Sequence, residues 1–230
     1  MWGVLVMNSM NCRKGICIDL DGTILDTESI NMKLMFKYNK LYGKKFSKRF
    51  YVNNLIGKTK NQISKILIQK WGKDFNEASY WNGLLNFRNI YYNKNDIKVK
   101  YGFYDLINYL KQNNWNVSLV TSSSYIQVKN LLKKAKIDKK IFDLIISRED
   151  VKHVKPSSEP YLLAMQKLNL DPKFVVALED SNVGLQAAQK SNIKTIYIKD
   201  LCKVDKSIQQ KCYASVKTLK NVIEILRRMD

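Results

Sequence analysis

Apolar positions in the second half of the chain alternate between helical and extended spacing. Phe103, Leu106, Ile107 and Leu110 recur at intervals of three and four residues, which predicts one face of a helix. The short apolar run that follows, "NVSLVT" at 116–121, favours a buried strand. The same alternation continues to residue 198.

Five segments are predicted to be strands on this pattern. They are "GICIDL" at 15–20, "NVSLVT" at 116–121, "IFDLIIS" at 141–147, "FVVALED" at 174–180 and "KTIYI" at 194–198. Strands that alternate with helices are typical of βαβ units, which build a parallel sheet covered on both faces. The sequence therefore predicts an α/β, Rossmann-like core of three layers.

The segment between residues 28 and 98 has no strand pattern. Three helical stripes occupy it, formed by Ile30, Leu34, Tyr38 and Leu41, by Ile63, Ile66, Leu67 and Trp71, and by Trp81, Leu84 and Leu85. These stripes are expected to pack as a core. We therefore predict an all-helical domain at 28–98, inserted after the first strand of a core domain formed by 1–27 and 99–230.

The charge of the chain is strongly positive and unevenly distributed. The formal net charge is +20, and residues 28–98 alone carry +11. Such an excess attracts phosphorylated or nucleic partners. Only six of the 40 basic residues are Arg, however, and readers of nucleic acid commonly use Arg. We expect the inserted domain to attract phosphate esters rather than nucleic acid.

The remaining composition indicates a protein of the cell interior. The four cysteines lack C-x-x-C spacing and a partnering His cluster, so reduced thiols are expected rather than a zinc site or disulfides. The apolar run at the N-terminus is too short for a cleaved signal peptide, and no run approaches a membrane span. The expectation is a cytoplasmic monomer without membrane contact.

Polar residues stand where the predicted strands end. They are Asp19 and Asp21, then Thr121 and Ser122, then Lys155, and finally Glu179 and Asp180. Each group has an ordinary explanation as a turn, a loop, a solvated Lys or a charge pair at a helix start. Parallel strands bring their carboxyl ends to one edge, however, and crowded carboxylates there match Mg²⁺.

Four stretches, "DLDGTILDTE", "VTSS", "KP" and "LEDSNVGLQAA", resemble the motifs of the haloacid dehalogenase superfamily of phosphohydrolases. They occur in the order of that family and at its typical intervals, from about residue 15 onward. The likeness is greatest to the branch with a helical cap after the first strand, which includes β-phosphoglucomutase and pseudouridine-5'-phosphate phosphatase. The resemblance implies that residues 28–98 are this cap.

The resemblance also implies a role for each motif residue. Asp19 would be the nucleophile and Asp21 the general acid and base. Mg²⁺ would be held by the carboxylates of Asp19 and Asp180 and by the backbone carbonyl of Asp21. Glu179 would either bind the metal directly or contact one of its ligands. Thr121, Ser122 and Lys155 would bind the phosphoryl group of a small phosphorylated metabolite.

The motifs depart from the family in two places. Val154 and Ser158 flank the Lys155 loop, where relatives usually have Gly and Pro. Asn31 stands where β-phosphoglucomutase has a His. The single His, His153, is expected to be structural or solvated, which disfavours a Ser-His-Asp hydrolase.

Three functions are compatible with the sequence, of which two are enzymatic and one is binding. The first is a Mg²⁺-dependent phosphatase for sugar phosphates or nucleoside monophosphates, acting through an aspartyl-phosphate. The second is a phosphosugar mutase of the β-phosphoglucomutase type. The third is a module on the same scaffold that binds RNA or another acidic partner.

The cap is expected to close over Asp19. Hinges are predicted near Thr27–Glu28 and Lys98–Tyr101. The loop around Gly57 matches one that faces the active site in relatives, so Lys58 and Lys60 are candidate contacts to the distal part of the substrate.

Overall fold

Six parallel strands form one sheet in the computed structural model of the chain, which describes residues 13–56, 58, 60–72 and 74–229. The strands are β1 (Gly15–Ile18), β2 (Asn116–Val120), β3 (Leu144–Ile146), β4 (Val175–Glu179), β5 (Lys194–Ile198) and β6 (Ala214–Val216). Their order is β3-β2-β1-β4-β5-β6, and β1 pairs with both β2 and β4. The residues that follow β1 therefore lie at the middle of the sheet edge.

Ten helices surround or extend this sheet within the described residues. They are α1 (Thr27–Leu41), α2 (Lys48–Asn54), α3 (Lys60–Trp71), α4 (Glu77–Lys94), α5 (Phe103–Gln112), α6 (Tyr125–Lys134), α7 (Glu159–Leu168), α8 (Asn182–Lys190), α9 (Lys206–Gln209) and α10 (Leu219–Arg227). The predicted alternation of strands and helices is confirmed.

Successive side chains of a strand point to opposite faces of the sheet, and helices pack against both faces. Both faces are therefore buried. Ile16 and Ile18 of β1 belong to a cluster that includes Phe103 of α5 and Val222 of α10. Cys17, between them, belongs to a second cluster with side chains from α7 and α8. The predicted three-layer α/β core is confirmed.

The four helices α1 to α4 form the segment that was predicted to be all-helical. They share a separate apolar cluster that includes Met35, Tyr51, Leu67, Tyr80 and Leu84. Among the described residues of this segment no strand occurs, as predicted. The seven-residue helix α2 was missed, because it is too short to show a periodic stripe. The boundaries at 27/28 and 98/99 stay a prediction.

The two linkers to this cap run side by side. Asp26 N–H donates to Lys98 O at 3.0 Å, and Lys100 N–H donates to Ile24 O at 2.8 Å. Leu25 and Val99 lie between them as an antiparallel bridge. The segments predicted as hinges are therefore joined to each other through their backbones.

The strand predicted at "IFDLIIS" is longer than the observed β3, and the last strand of the sheet was not predicted. The regular ladder of β3 begins at Leu144, because the side chain of Asp143 accepts the N–H of Val117 at 2.7 Å. The last strand, β6, and the helices α9 and α10 were not predicted. β6 has only three residues and none of them is buried, so its sequence carries little apolar signal.

Some expectations fall on residues that the structure does not describe. The N-terminal segment 1–12, with Cys12, and Gly57 lie outside the described residues. The cysteines that are described, Cys17, Cys202 and Cys212, are free thiols, as expected. Over the part of the chain that is described, none of the helices combines the length and apolar character needed to cross a bilayer.

Candidate active site

The carboxyl ends of three neighbouring strands bring buried polar side chains together. Asp19 follows β1, Thr121 follows β2, and Asp180 follows Glu179 at the end of β4; all four side chains are buried. Asp19, Thr121 and Asp180 line a cavity of about 170 Å³ together with Asp21, Glu28, Ile56, Ser122, Ser123, Lys155, Ser181, Val183 and Cys202. Glu179 lies behind this lining. The structure thus brings the motif residues to one place.

Lys155 is the buried cation of this site. Its Nζ donates to Asp19 Oδ1 at 2.5 Å, to Glu179 Oε1 at 2.5 Å and to Val120 O at 2.7 Å. Burial by itself would lower the pKa of Lys155, but the carboxylates of Asp19 and Glu179 raise it above its usual value. Lys155 therefore stays charged, and it is not a solvated surface Lys.

The carboxylates outnumber this cation. Burial raises the pKa of Asp19 to about 8; Lys155 opposes the rise, and Glu179 and Asp21 add to it. Burial also raises the pKa of Asp180 well above its usual range, with further contributions from Asp19 and Glu179. One Lys therefore does not balance the negative charge, and the site favours a proton or another cation.

A divalent cation fits the geometry of these carboxylates. Asp19, Glu179 and Asp180 each offer an oxygen within 4.8 Å of the others. Oxygen ligands of this kind suit Mg²⁺. Glu179 Oε1 already accepts from Lys155 and from Tyr161 Oη, whereas Oε2 is buried without a hydrogen-bond partner among the described residues. That orphaned oxygen is available to a metal or to water bound on it.

The loop after β1 places the second acid. Ser123 Oγ donates to Asp21 Oδ2 at 2.9 Å, and Asp21 is half-buried at the cavity wall. Gly22 has φ +85°, and a Cβ on it would lie 2.2 Å from Asp180 Oδ2. Thr23 Oγ1 donates to Asp180 Oδ1 at 3.2 Å. Only glycine lets this loop pass so close to the carboxylate.

The other strand ends supply donors. Thr121 Oγ1 accepts the N–H of Ser123 at 3.1 Å, which leaves the hydroxyl proton free to donate into the cavity. Ser181 is the N-cap of α8, since its Oγ accepts from the N–H of Gly184 at 3.1 Å. The edge thus presents hydroxyl groups beside the carboxylates.

A family comparison agrees with this geometry. The profile of the haloacid dehalogenase-like hydrolases matches residues 16–198, which is most of the chain. The chain belongs to this family.

Relatives of known name and structure lie within the same family. The chain is 25% identical over 190 residues to the phosphorylated carbohydrates phosphatase of Thermotoga maritima, covering 80% of this chain and 84% of that protein. It is 28% identical over 184 residues to the pyrophosphatase PpaX of Bacillus cereus, covering 78% and 80%. The β-phosphoglucomutase of Clostridium difficile superposes with a TM-score of 0.73 at 20% identity, covering 94% and 96%. This last likeness shows the fold alone.

A second cavity adjoins the cavity of about 170 Å³, and residues of the helical segment 28–98 line most of it. It measures about 520 Å³ and shares Glu28, Ile56, Ser122, Lys155 and Val183 with the smaller one. Its remaining walls are Asn31, Met35, Tyr51, Leu55, Lys58, Lys60, Ile63, Trp81, Leu84, Arg88, Arg148 and Val154. The candidate residues Lys58 and Lys60 therefore line the cavity that adjoins the smaller one.

Two predicted details are resolved by the structure. Asn31 lines the larger cavity, where its Oδ1 accepts from Tyr92 Oη at 3.2 Å. The His153 side chain is exposed, and its Nδ1 lies 3.0 Å from Glu159 Oε2. His153 is not among the residues that line the smaller cavity, and its exposed side chain agrees with the expectation of a structural or solvated His.

Several site residues were missed by sequence reasoning. Glu28 lines the smaller cavity, and burial raises its pKa to about 7, with Asp21 and Asp200 adding to the rise. Arg88 lines the larger cavity, and its buried Nε has no hydrogen-bond partner within the described part of the chain. Tyr161 supports Glu179 from α7. Glu28 is the last residue of the first motif, "DLDGTILDTE", which was the available signal for it. Arg88 and Tyr161 lie on helices whose apolar residues resemble core.

Replacing Gly22 with Ala should disturb both the loop and Asp180. The positive φ costs an L-residue about 1–2 kcal/mol, and the new Cβ would displace the Asp180 carboxylate. Gly43→Ala is the matched control, because Gly43 has φ +74° and nothing lies within 4 Å of a Cβ there. Urea denaturation should show a larger loss of stability for Gly22→Ala, and equal losses would contradict the close approach.

Proposed function

We propose that the protein is a Mg²⁺-dependent phosphatase that hydrolyses small phosphomonoesters through an aspartyl-phosphate. The observation that carries this proposal is the buried group of Asp19, Lys155 and Asp180, beside which Asp21 lies at the cavity wall. A nucleophile, a fixed cation, a metal site and a proton carrier are the parts that phosphoryl transfer requires.

Asp19 is the nucleophile in this proposal. Lys155 holds its Oδ1 and leaves Oδ2 to attack phosphorus. The bond from phosphorus to the ester oxygen breaks as the bond to Oδ2 forms, and Asp21 protonates the departing oxygen. Asp21 then takes a proton from water, which attacks the aspartyl-phosphate, releases inorganic phosphate and restores Asp19.

The residues around Asp19 and Asp21 would bind the phosphoryl oxygens. Thr121 offers a free hydroxyl proton, Ser122 lines both cavities, and the Lys155 cation lies next to Asp19. Mg²⁺ would be held by Asp19, Asp180 and the carbonyl of Asp21, with Glu179 binding directly or through water. Bound there, the metal supplies positive charge that stabilises the transferring phosphoryl group.

The expected substrates are sugar phosphates or nucleoside monophosphates. The reaction cavity of about 170 Å³ suits a phosphoryl group, and the adjoining 520 Å³ suits a small leaving group. A relative is named for phosphorylated carbohydrates, which supports this class. The mutase alternative draws on likeness of fold alone, so the phosphatase is preferred.

A panel of phosphorylated metabolites tests the proposed function. With Mg²⁺, the purified protein should release inorganic phosphate from sugar phosphates or nucleoside monophosphates, and EDTA should stop this release. Product analysis in the same assay separates a hydrolase from a mutase, which would return an isomeric phosphosugar. Turnover that survives EDTA would contradict the metal-assisted site, and no release from any ester would contradict the phosphatase.

Lys58 and Lys60 should affect substrate capture more than chemistry. We expect Lys58→Ala/Lys60→Ala to raise KM for a doubly charged ester several-fold and leave kcat nearly unchanged, because both side chains line only the larger cavity. Lys33→Ala/Lys37→Ala removes two exposed charges from α1 as the matched control. Added salt should weaken the same effect.

The RNA-binding alternative makes the opposite forecast for these variants. It expects micromolar binding of random single-stranded RNA at physiological salt, lost in Lys58→Ala/Lys60→Ala. A gel-shift titration beside the kinetic assay measures both. If Lys58→Ala/Lys60→Ala loses RNA binding while its turnover stays unchanged, the two residues bind RNA and do not capture substrate.

A further inference from the structure

A second ion pair, which is partly buried, lies beside the candidate active site. Lys100 Nζ contacts Asp200 Oδ1 at 2.8 Å, and the two side chains are only 17% and 10% exposed. Lys100 belongs to the linker by which the chain returns from the cap, and Asp200 follows β5 at the sheet edge. The Asp200 Oδ2 atom is buried without a hydrogen-bond partner among the described residues, so the carboxylate depends on Lys100.

The same ammonium group reaches the loop that carries the general acid. Lys100 Nζ donates to the carbonyl oxygen of Gly22, the residue directly after Asp21. The backbone N–H of Lys100 donates to Ile24 O at 2.8 Å, in the same loop. One residue of the return linker therefore holds this loop by its side chain and its backbone.

Asp21 itself has few constraints of its own. Ser123 Oγ is the side-chain donor that the structure assigns to its carboxylate, at 2.9 Å. Gly22 has no side chain to pack, and its φ of +85° is one that glycine adopts without strain. The direction of the Asp21 side chain therefore depends on where the Gly22 peptide is fixed.

We propose that Lys100, clamped by Asp200, is a positioning residue that fixes the Gly22 carbonyl and so aims the Asp21 carboxyl at the leaving oxygen. The role rests on the proposed function, because it serves the proton transfers assigned to Asp21. It also couples the cap to the chemistry, since the return linker of the cap supplies the clamp. A displacement of about 1 Å in a catalytic group can lower a rate on the order of 10²-fold.

Lys100→Met tests this role through kinetics. It keeps the length of the side chain and removes the charge, so Gly22 and Asp200 both lose their partner. We expect kcat on an alkyl phosphate to fall about 10- to 100-fold with KM changed less than about threefold. An aryl phosphate, whose leaving group needs no proton, should lose less, and Lys100→Arg should recover part of the rate.

Lys136→Met is the matched control. Lys136 also forms an ion pair with a residue of the return segment, Asp96, but the side chains are 76% and 65% exposed. Exposed pairs of this kind contribute little, so this variant should keep the wild-type rates. Equal losses on alkyl and aryl esters in Lys100→Met, without recovery in Lys100→Arg, would reduce Lys100 to a structural residue and overturn the proposal.

Hydrogen exchange gives a readout that needs no turnover. The amides of Gly22 and Leu25 donate to Leu25 O and Leu20 O, and they report the order of the loop. Exchange over residues 20–26 should rise in Lys100→Met and stay at the wild-type level in Lys136→Met. Unchanged exchange in Lys100→Met would overturn the clamp even if the wild-type protein releases phosphate.

The proposed function and the clamp can fail separately. A wild-type protein that hydrolyses no ester contradicts the phosphatase, and the exchange measurement then decides the clamp alone. If Lys100→Met does not purify as a folded protein, Asp200→Asn carries the same measurements, since it removes the clamping charge and leaves Lys100 in place. Wild-type exchange and leaving-group dependence in that variant would overturn the proposal.

Discussion

Replacing Asp19 with Asn should abolish turnover while the fold is kept. The amide has no nucleophilic carboxylate oxygen, so the covalent route is lost, and a fall on the order of 10⁴-fold or more is expected. The variant should stay folded, because it removes one of several crowded negative charges and Lys155 keeps its bond to Glu179. Steady-state assays with Mg²⁺ and circular dichroism measure the two parts.

Trapping of the intermediate makes this prediction sharper. After rapid acid quench during turnover, mass spectrometry should find a phosphoryl group on the peptide that contains Asp19 in the wild-type protein and none in Asp19→Asn. Asp105→Asn, an exposed carboxylate on α5, is the control and should keep the wild-type rate. Near-normal turnover of folded Asp19→Asn would contradict the mechanism.

Replacing Asp21 with Ala should slow both proton transfers and spare phosphate binding. The loss of a general acid and base lowers the rate by about 10²–10⁴-fold. An aryl ester such as p-nitrophenyl phosphate should lose less in its first step, since its leaving group departs without a proton. The ratio of the two losses, measured under conditions where phosphorylation limits the rate, reports the acid directly.

Asp26 provides the matched control for this experiment. Asp26 lies five residues after Asp21, directly before α1, and its side chain makes no capping hydrogen bond to that helix. Asp26→Ala should keep the wild-type dependence on the leaving group. If alkyl and aryl esters lose rate equally in Asp21→Ala, Asp21 is not the acid.

Several buried carboxylates lie close together in this site, and the Lys155 cation offsets part of their negative charge. Burial raises the pKa values of Asp19 and Asp180, and Lys155 opposes only part of this at Asp19. Removing that Lys would leave Asp19 and Glu179 buried without their cation, which typically costs about 3–5 kcal/mol. The arrangement is therefore unfavourable for stability by itself, and a cation bound to these carboxylates would relieve it.

The local sequence was sufficient for five of the six strands and for most of the candidate site. Short apolar runs such as "KTIYI" stop where the ladder stops, because both faces of a parallel strand must be buried. The polar residues after those runs follow from the same rule, since the strand ends share one edge. Asp19, Thr121, Lys155 and Asp180 could therefore be placed together before any coordinates.

Other elements carry too little local signal to be predicted. The edge strand β6 has no buried residue, and α2 is too short for a helical stripe. The start of β3 depends on the Asp143 side chain, which takes the N–H of a residue 26 positions away. Such contacts are set by the neighbouring strand and not by the residue's own sequence.

The sequence by itself determined the α/β class, the helical insertion and the group of acids at the strand ends. The tertiary structure alone decided what surrounds those acids. Glu28, Arg88 and the pair of Lys100 with Asp200 reach the site from the cap, its return linker and the end of β5. The physical reason is that burial and charge pairing between distant segments depend on how helices and strands pack, and no spacing along the chain encodes that packing.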